Sequence, residues 1–222
     1  NHRFAAAACM IRVCVRCALD TNLMGQLTDK EIRVALIRHL RGRPVAPKAV
    51  LEEVRVHNGN AIADVVAVHR AAHCYEIKGE TDAIARIARQ GSYYDQAFRR
   101  ITLVTTENHL RQALRIAPAH WGVMVATSAN HQARAGVEGP PMLRYVRKAT
   151  ISPRFDKQVA LLALWKCELL TMCGVETKNV QKLSRANLSE MIAERKGARE
   201  VSASIAQLLL TRHINNGWPV AM

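Results

Sequence analysis

Two carboxylates and a lysine lie in segments of the sequence that are otherwise apolar. Asp64 lies inside the run 61–68, and Glu76 and Lys78 lie at the end of the run 74–78. Burying a carboxylate is costly unless it pairs with a cation or binds a metal ion. The pattern therefore indicates either a buried salt-bridge cluster or a metal-dependent active site.

The spacing of these residues favours the active site. Both runs are typical of strands, and a strand places residues two apart on the same face, so Glu76 and Lys78 are expected to share a face. If the two strands pair, Asp64 lies close to both. Two carboxylates can hold Mg²⁺, which prefers oxygen ligands and keeps several waters, while a lysine ammonium positions the water that attacks a phosphate.

The composition predicts a globular protein that attracts polyanions. Its 222 residues are 49% hydrophobic and 23% charged, close to the average for globular domains. A formal net charge of +14 favours binding to nucleic acid, although a solvated basic surface has the same charge. No stretch approaches the roughly 20 apolar residues that span a membrane, and six cysteines are too few for a disulfide scaffold. We expect a cytoplasmic protein that does not associate with membranes.

The periodicity of apolar residues predicts an α/β fold. A capping box at Thr28 and Glu31 starts the first helix. Strands at 50–56 and 61–68 form a hairpin, and a third strand follows at 74–78. The remaining predicted elements are a helix at 81–99, a strand at 101–105, a helix at 107–116, a strand at 121–126, an edge strand at 143–146 and helices at 156–172, 187–194 and 201–212. This order implies a mixed central sheet flanked by helices, with parallel pairs among the later strands and a small C-terminal helical appendage.

Asp64 and the sequence Glu76-Ile77-Lys78, in this order of elements, resemble the core motif of the PD-(D/E)XK nuclease superfamily. The resemblance covers residues 28–126 and is closest to an uncharacterised bacterial group within the superfamily. The residues that match this group are Glu53, Asp64, Tyr75, Glu76, Lys78, Gln90, Tyr94 and Phe98. The proline that precedes the aspartate in the superfamily is replaced by Ala63.

The resemblance implies a restriction-endonuclease-like sheet and phosphodiester hydrolysis with one or two Mg²⁺ or Mn²⁺ ions. It implies that Asp64, Glu76 and Ile77 are the metal ligands and that Lys78 takes part in catalysis. A further carboxylate is expected from the first strand or the first helix. We prefer Glu53 on the strand to Glu31 on the helix, although Glu53 is nearly as well explained as an exposed strand residue.

The resemblance also assigns roles to the helix that follows the third strand. Gln90 and Tyr94 are four residues apart and can face the same side, where the superfamily uses such a pair to orient the lysine or to contact DNA. Ordinary helix packing is the alternative. Basic residues on or after this helix are expected to contact phosphates without sequence specificity, namely Arg86, Arg89, Arg99 and Arg100, with Arg195, Lys196 and Arg199 as a possible extension.

These patterns divide the chain into four segments. Residues 1–26 are interpreted as a poorly ordered or non-native extension, and Cys9, Cys14 and Cys17 within it lack a fourth ligand at zinc-finger spacing. Residues 27–127 are expected to form the nuclease-like core. A linker or edge segment follows at 128–155, and residues 156–222 are expected to be helical.

The sequence therefore predicts a metal-dependent nuclease that hydrolyses DNA in repair, recombination or defence. The alternative is a nucleic-acid-binding or scaffold protein that keeps the fold without turnover. A small-molecule enzyme is disfavoured because the sequence contains no glycine-rich phosphate loop and no nucleophile elbow. The sequence does not decide between DNA and RNA, or between a homodimer and a complex with a partner protein.

Overall fold

A computed structural model describes residues 26–128, 140–174 and 178–216. Its strands are β1 (Ala49–Val56), β2 (Ala61–Val68), β3 (Ala72–Ile77), β4 (Arg100–Thr106), β5 (Gly122–Thr127) and β6 (Met142–Arg147). Its α-helices are α1 (Asp29–Arg41), α2 (Ile87–Ala97), α3 (Glu107–Ile116), α4 (Lys157–Leu161), α5 (Lys166–Cys173), α6 (Lys178–Gln181), α7 (Arg185–Arg195) and α8 (Ala198–Asn215). Short 3-10 turns lie at His57–Gly59 and Ile84–Arg86.

The strands form a single six-stranded mixed sheet in the order in which they occur in the sequence. The strands β1, β2 and β3 pair antiparallel, β3, β4 and β5 pair parallel, and β6 returns antiparallel to β5. The parallel pairs occur where a helix connects consecutive strands, as the crossover connection requires. The predicted fold class is confirmed: the molecule is α/β, with a mixed sheet flanked by helices and further helices at the C-terminal end.

Helix α1 covers one face of the sheet. Thr28 and Glu31 form the predicted capping box, in which the Thr28 hydroxyl accepts from the Glu31 N–H and the Glu31 carboxylate accepts from the Thr28 N–H. The apolar stripe of the helix is buried against side chains from the sheet. This first core contains Ile32, Leu36 and Leu40 from the helix, and Val65, Tyr75, Ile77, Val104 and Met124 from the strands.

Helix α2 and the C-terminal helices cover the other face. They share one apolar core with the sheet, which includes Cys74, Leu103 and Val123 from strands, Tyr94 from α2 and Leu161, Leu164, Leu188, Ile192, Val201 and Ile205 from the C-terminal part. The predicted helical appendage therefore packs against the sheet. None of the helices in the described part of the chain is long and apolar enough to cross a membrane.

Two predicted helices differ from the structure. The helix predicted at 81–99 begins only at Ile87, because Asp82 accepts a hydrogen bond from Gly79 N–H and closes a turn before it. The single helix predicted at 156–172 is wrong, since it breaks into α4 and α5. The predicted linker or edge segment at 128–155 contains β6. The proposed extension at 1–26, with its three cysteines, lies outside the described residues apart from residue 26.

Candidate active site

The sheet register places three carboxylates in one row. On β1, the pairs Glu52↔Val65 and Val54↔Ala63 lie on either side of Glu53 and Asp64, which therefore stand opposite each other. The β2–β3 ladder ends at the pair Val65↔Tyr75, so the next position sets Asp64 opposite Glu76. The row Glu53, Asp64, Glu76 thus crosses three adjacent strands, and Lys78 follows Glu76 at the end of β3.

The ladder is interrupted along this row. Glu53 has a φ of 53°, a left-handed conformation that is uncommon for residues other than glycine. Its effect on β1 is visible in the core, because Leu51 and Val54 both bury their side chains in the same cluster although they are three residues apart. Backbone strain of this kind concentrates at functional sites.

Asp64 occupies the gap that opens between β2 and β3. Its Oδ2 accepts a hydrogen bond of 2.7 Å from the Ile77 N–H, in place of a ladder partner. Its Oδ1 lies 3.5 Å from a guanidinium nitrogen of Arg33. Burial raises the pKa of Asp64, while the Ile77 N–H and the charges of Lys78 and Arg33 act in the opposite direction. The carboxylate is thus held at the opening of the sheet by the main chain.

Glu76 is the most buried carboxylate of the row. Its side chain is 3% exposed, and its Oε1 accepts a 2.7 Å hydrogen bond from the Lys78 ammonium. Its Oε2 is buried and has no hydrogen-bond partner among the described residues. Burial and the nearby charge of Asp64 raise the pKa of Glu76 to about 7, against the opposing effects of Lys78 and Tyr94. One oxygen of a buried carboxylate is therefore available to a further cation.

The main chain of Ile77 faces the same gap. The Lys78 N–H donates to the Val104 carbonyl on β4, so the preceding N–H, that of Ile77, points to β2. In an extended strand the N–H and C=O of one residue point to the same side. The Ile77 carbonyl is therefore directed toward Asp64, as its predicted role as a ligand requires.

Helix α2 places Tyr94 and Gln90 on the face of the sheet that Cys74 occupies. The Tyr94 hydroxyl donates its one proton to the Ile62 carbonyl on β2 at 2.8 Å, which leaves Glu76 Oε2 without a donor among the described residues. The hydroxyl nevertheless lies close enough to Glu76 to lower the pKa of that carboxyl. The Gln90 Oε1 is buried without a hydrogen-bond partner in the described part of the chain. Tyr94 is thus brought to the site.

Arg33 on α1 joins the acidic residues from the other side. It forms ion pairs with Asp29 at 3.2 Å, with Glu53 and Asp64 at 3.5 Å and with Glu52 at 3.8 Å. Although burial acts to lower the pKa of Arg33, Asp29, Asp64 and Glu52 raise it above its ordinary value. Sequence reasoning missed this residue, and its four-residue spacing from Asp29 was the one local signal that could have indicated it.

The donors at this site suit a hard divalent cation held by few protein ligands. The available groups are carboxylate oxygens of Asp64 and Glu76 and the main-chain carbonyl of Ile77, and Mg²⁺ is commonly bound by one or two carboxylates with waters completing its shell. Within the described ranges, no three His, Cys, Asp or Glu side chains converge closely enough to enclose a metal ion. The residues fit a water-rich Mg²⁺ site and do not form a closed protein cage.

Other predicted residues lie elsewhere. Glu31 forms the capping box of α1 and does not lie in the row of carboxylates. Arg86 and Arg89 are exposed around the start of α2. Arg99 and Arg100 lie at the opposite end of the sheet, because Arg100 pairs with His73 at the start of β3, three residues before Glu76. The predicted phosphate track is therefore not continuous.

Comparison with known proteins identifies a family. Residues 24–216 match the family model described as bacteriophage P4 protein cII. The chain belongs to this family. Protein cII of Enterobacteria phage P4 is 24% identical over 157 residues, which cover 69% of this chain and 56% of the phage protein. The chain thus spans little more than half the length of that relative.

One solved structure is also similar to this chain. It is a protein of unknown function from Silicibacter pomeroyi, SPO1766, with 15% sequence identity and a TM-score of 0.40. The match covers 87% of this chain and 96% of that chain.

Proposed function

We propose that this member of the family is a metal-dependent nuclease that hydrolyses DNA phosphodiester bonds beside Asp64 and Glu76. The observation that carries the proposal is the state of Glu76, whose Oε1 binds Lys78 while its buried Oε2 has no hydrogen-bond partner among the described residues. An unpaired buried carboxylate oxygen is costly, and a bound cation removes that cost. The resemblance of these residues to the PD-(D/E)XK motif supports the same chemistry.

Each residue has a distinct task in this proposal. Asp64, Glu76 and the Ile77 carbonyl would hold Mg²⁺ or Mn²⁺, which would supply charge neutralisation at the phosphate and activation of the attacking water. Lys78, held 2.7 Å from Glu76, donates a hydrogen bond to the attacking water or to a phosphate oxygen. Tyr94 fixes β2 through the Ile62 carbonyl and keeps Asp64 in place.

The test is cleavage of supercoiled, linear and single-stranded DNA, and of RNA, with Mg²⁺, Mn²⁺ or EDTA. Wild-type protein is expected to cleave DNA only with a divalent cation, and Asp64→Ala and Lys78→Ala are expected to lose activity at least a hundredfold, roughly what a positioned catalytic group contributes. Glu107→Ala is the matched control, because Glu107 is a carboxylate in an exposed ion pair with Arg144. Activity that survives both substitutions, or that equals activity in EDTA, contradicts the proposal.

A second candidate function is nucleic-acid binding without turnover. Arg33 favours it, because this guanidinium already forms ion pairs with Asp64 and three other carboxylates and thus supplies a cation where a metal ion would bind. In that case wild type and Asp64→Ala bind DNA equally and neither cleaves it. In the nuclease, by contrast, Arg33→Ala is expected to lower the Mg²⁺ concentration needed for half-maximal cleavage.

A further inference from the structure

A basic cleft lies at the end of the sheet where β3 and β4 begin. It has a volume of about 920 Å³ and is lined by residues from the segment after α1, the β2–β3 turn, the start of β4, the end of β6 with the segment after it, and the start of α8. The cations that line it are Arg43, Arg70, Arg99, Arg100, Lys148 and Arg199. Five separate segments therefore bring positive charge to one concave surface.

These cations lack acidic partners. Within the described ranges, none of the six forms an ion pair, whereas Glu200, the one carboxylate that lines the cleft, pairs with Lys196. Like charges held together without counterions attract anions strongly. The cleft is therefore poised to bind a ligand that carries several negative charges.

Two histidines also line the cleft, and burial is the main cause that keeps them uncharged. Burial lowers the pKa of His73 to about 3, and Arg100, His69 and Arg43 contribute to this shift. Burial and Arg43 likewise lower the pKa of His69. Both imidazoles are thus neutral at physiological pH, and they leave the anion-binding role to the arginines and the lysine.

The cleft is separate from the candidate active site. His73 lines the cleft, whereas Glu76 lies three residues further along β3, a distance of about 10 Å at the rise of a strand. The β1–β2 turn is at the Glu76 end, and the β2–β3 turn is at the cleft end. A ligand in the cleft therefore does not displace the carboxylate row.

We propose that this cleft binds the phosphodiester backbone of a nucleic acid, independently of the sequence of bases. Five of its six cations are arginines, whose planar guanidinium groups match phosphate oxygens. Six unpaired cations exceed what one small phosphate compound needs, and they suit a chain of phosphates with one charge each. The binding stands apart from cleavage and persists whether or not the carboxylate row is catalytic.

Fluorescence anisotropy with a labelled 20-nucleotide DNA, single-stranded or duplex, in EDTA tests this proposal. The variant Arg70→Gln/Arg100→Gln/Lys148→Gln removes three exposed cations of the cleft. Its affinity is expected to fall at least about tenfold, and the magnitude of the slope of log affinity against log salt is expected to decrease by roughly 2.7 with the duplex and roughly 2.1 with the single strand. The matched control is Arg111→Gln/Arg115→Gln/Lys166→Gln, which removes three exposed cations elsewhere and is expected to bind like wild type.

Each outcome decides the matter. Equal DNA affinity of the cleft variant and the control variant overturns the proposal. Displacement of the DNA by tripolyphosphate at the same molar concentration as the DNA also overturns it, because the cleft would then be a site for a small polyphosphate. Asp64→Ala separates the two proposals: loss of cleavage in Mg²⁺ together with unchanged DNA affinity in EDTA supports the cleft proposal independently of the active site.

Discussion

Glu76 shows at the scale of one residue how burial sets the chemistry of this site. The pKa of its carboxyl is raised to about 7, so its charge changes near neutral pH. A metal ion requires the ionised form. For the proposed nuclease, cleavage at limiting Mg²⁺ is therefore expected to rise as pH increases through about 7, and saturating metal is expected to shift this rise to lower pH. A rate that does not change between pH 6 and pH 8 would count against Glu76 as a ligand.

The same shift predicts a pH-dependent stability that does not involve catalysis. Because the pKa is higher in the folded than in the unfolded protein, the folded state binds more protons between about pH 4.5 and 7. Its stability therefore falls as pH rises through this range. Relative to Glu76→Gln, wild type is expected to lose roughly 3 kcal/mol of unfolding free energy between pH 4.5 and 8, which urea denaturation measures. An unchanged difference between the two proteins contradicts the shift.

Glu53 combines a strained backbone with a candidate ligand. Glycine adopts its φ of 53° without a steric penalty, so Glu53→Gly is expected to raise the unfolding free energy by about 0.5–1 kcal/mol. The same substitution removes a carboxylate from the row and is expected to weaken metal-dependent cleavage. Glu52→Gly is the control, because Glu52 lacks a positive φ, and it is expected to destabilise the protein. Denaturant melts of both variants give the comparison.

At the scale of elements, the separation of α4 from α5 depends on two arginines that lie far away in the sequence. Arg185 donates hydrogen bonds to the carbonyls of Leu162 and Leu164, and Arg212 donates to the carbonyl of Ala163. These carbonyls would otherwise be left without partners where the helix stops. Side chains of α7 and α8 thus stabilise a break that the local apolar pattern does not predict.

Removal of one of these arginines should therefore affect stability more than its partial exposure suggests. Arg185→Met leaves two carbonyls without donors, and we expect a loss of about 2 kcal/mol in unfolding free energy. Arg111→Met on the exposed face of α3 is expected to change stability by less than about 0.5 kcal/mol. Thermal denaturation followed by circular dichroism tests both, and equal melting temperatures would show that the break does not need Arg185.

Gly79 sets the distance between the end of β3 and the start of α1. A Cβ at this position would lie 2.9 Å from the Asp29 nitrogen and 3.0 Å from the Leu27 carbonyl, both of which belong to the main chain. Gly79→Ala is therefore expected to displace α1, to cost about 1–3 kcal/mol and to weaken the Arg33 ion pairs. Gly197→Ala is the control, because a Cβ there meets nothing within 4 Å. Denaturant melts distinguish the two.

Local signals in the sequence predict most of the elements and the carboxylate row. The capping box at Thr28 and the alternation of apolar and polar residues in β1 depend only on residues that are close in the sequence. The two-residue period of a strand is enough to place Glu76 and Lys78 on the same face. Gly91 lies inside α2 because of a distant contact, since a Cβ at this position would lie 3.3 Å from the indole of Trp121. The local signals of the capping box and the strands therefore agree with the structure, whereas the local apolar pattern at 156–172 does not predict the break between α4 and α5.

The features that the sequence does not predict depend on contacts between distant segments. The role of Arg33 follows from how α1 docks on the sheet, which no pattern within the helix determines. Arg99 and Arg100 follow α2 directly in the chain, yet the direction of β4 places them at the far end from Glu76. The row of carboxylates is thus predictable, and the charges that surround it are not.

At the scale of the whole molecule, sheet and C-terminal helices share one core. Leu161, Leu188 and Ile205 belong to the same apolar cluster as Cys74 and Leu103. We therefore expect the full chain to unfold in a single transition. A chain that ends at residue 150 exposes this face of the sheet and is expected not to melt cooperatively, as calorimetry can measure. A truncated chain that melts like the full protein would show that the sheet and α1 fold on their own.

The kink at Glu53 has a consequence for how molecules of this protein meet one another. The strand β1 lies at one edge of the sheet, and an edge strand is a template on which another chain can add a strand. The left-handed residue divides β1 into two short segments, and the alternation of side chains between the two faces of the sheet shifts by one residue at the division. Both Glu52 and Glu53 place negative charge there. A foreign strand therefore finds no long, flat edge to pair with on β1, and we expect the backbone that presents a carboxylate also to disfavour aggregation at this edge.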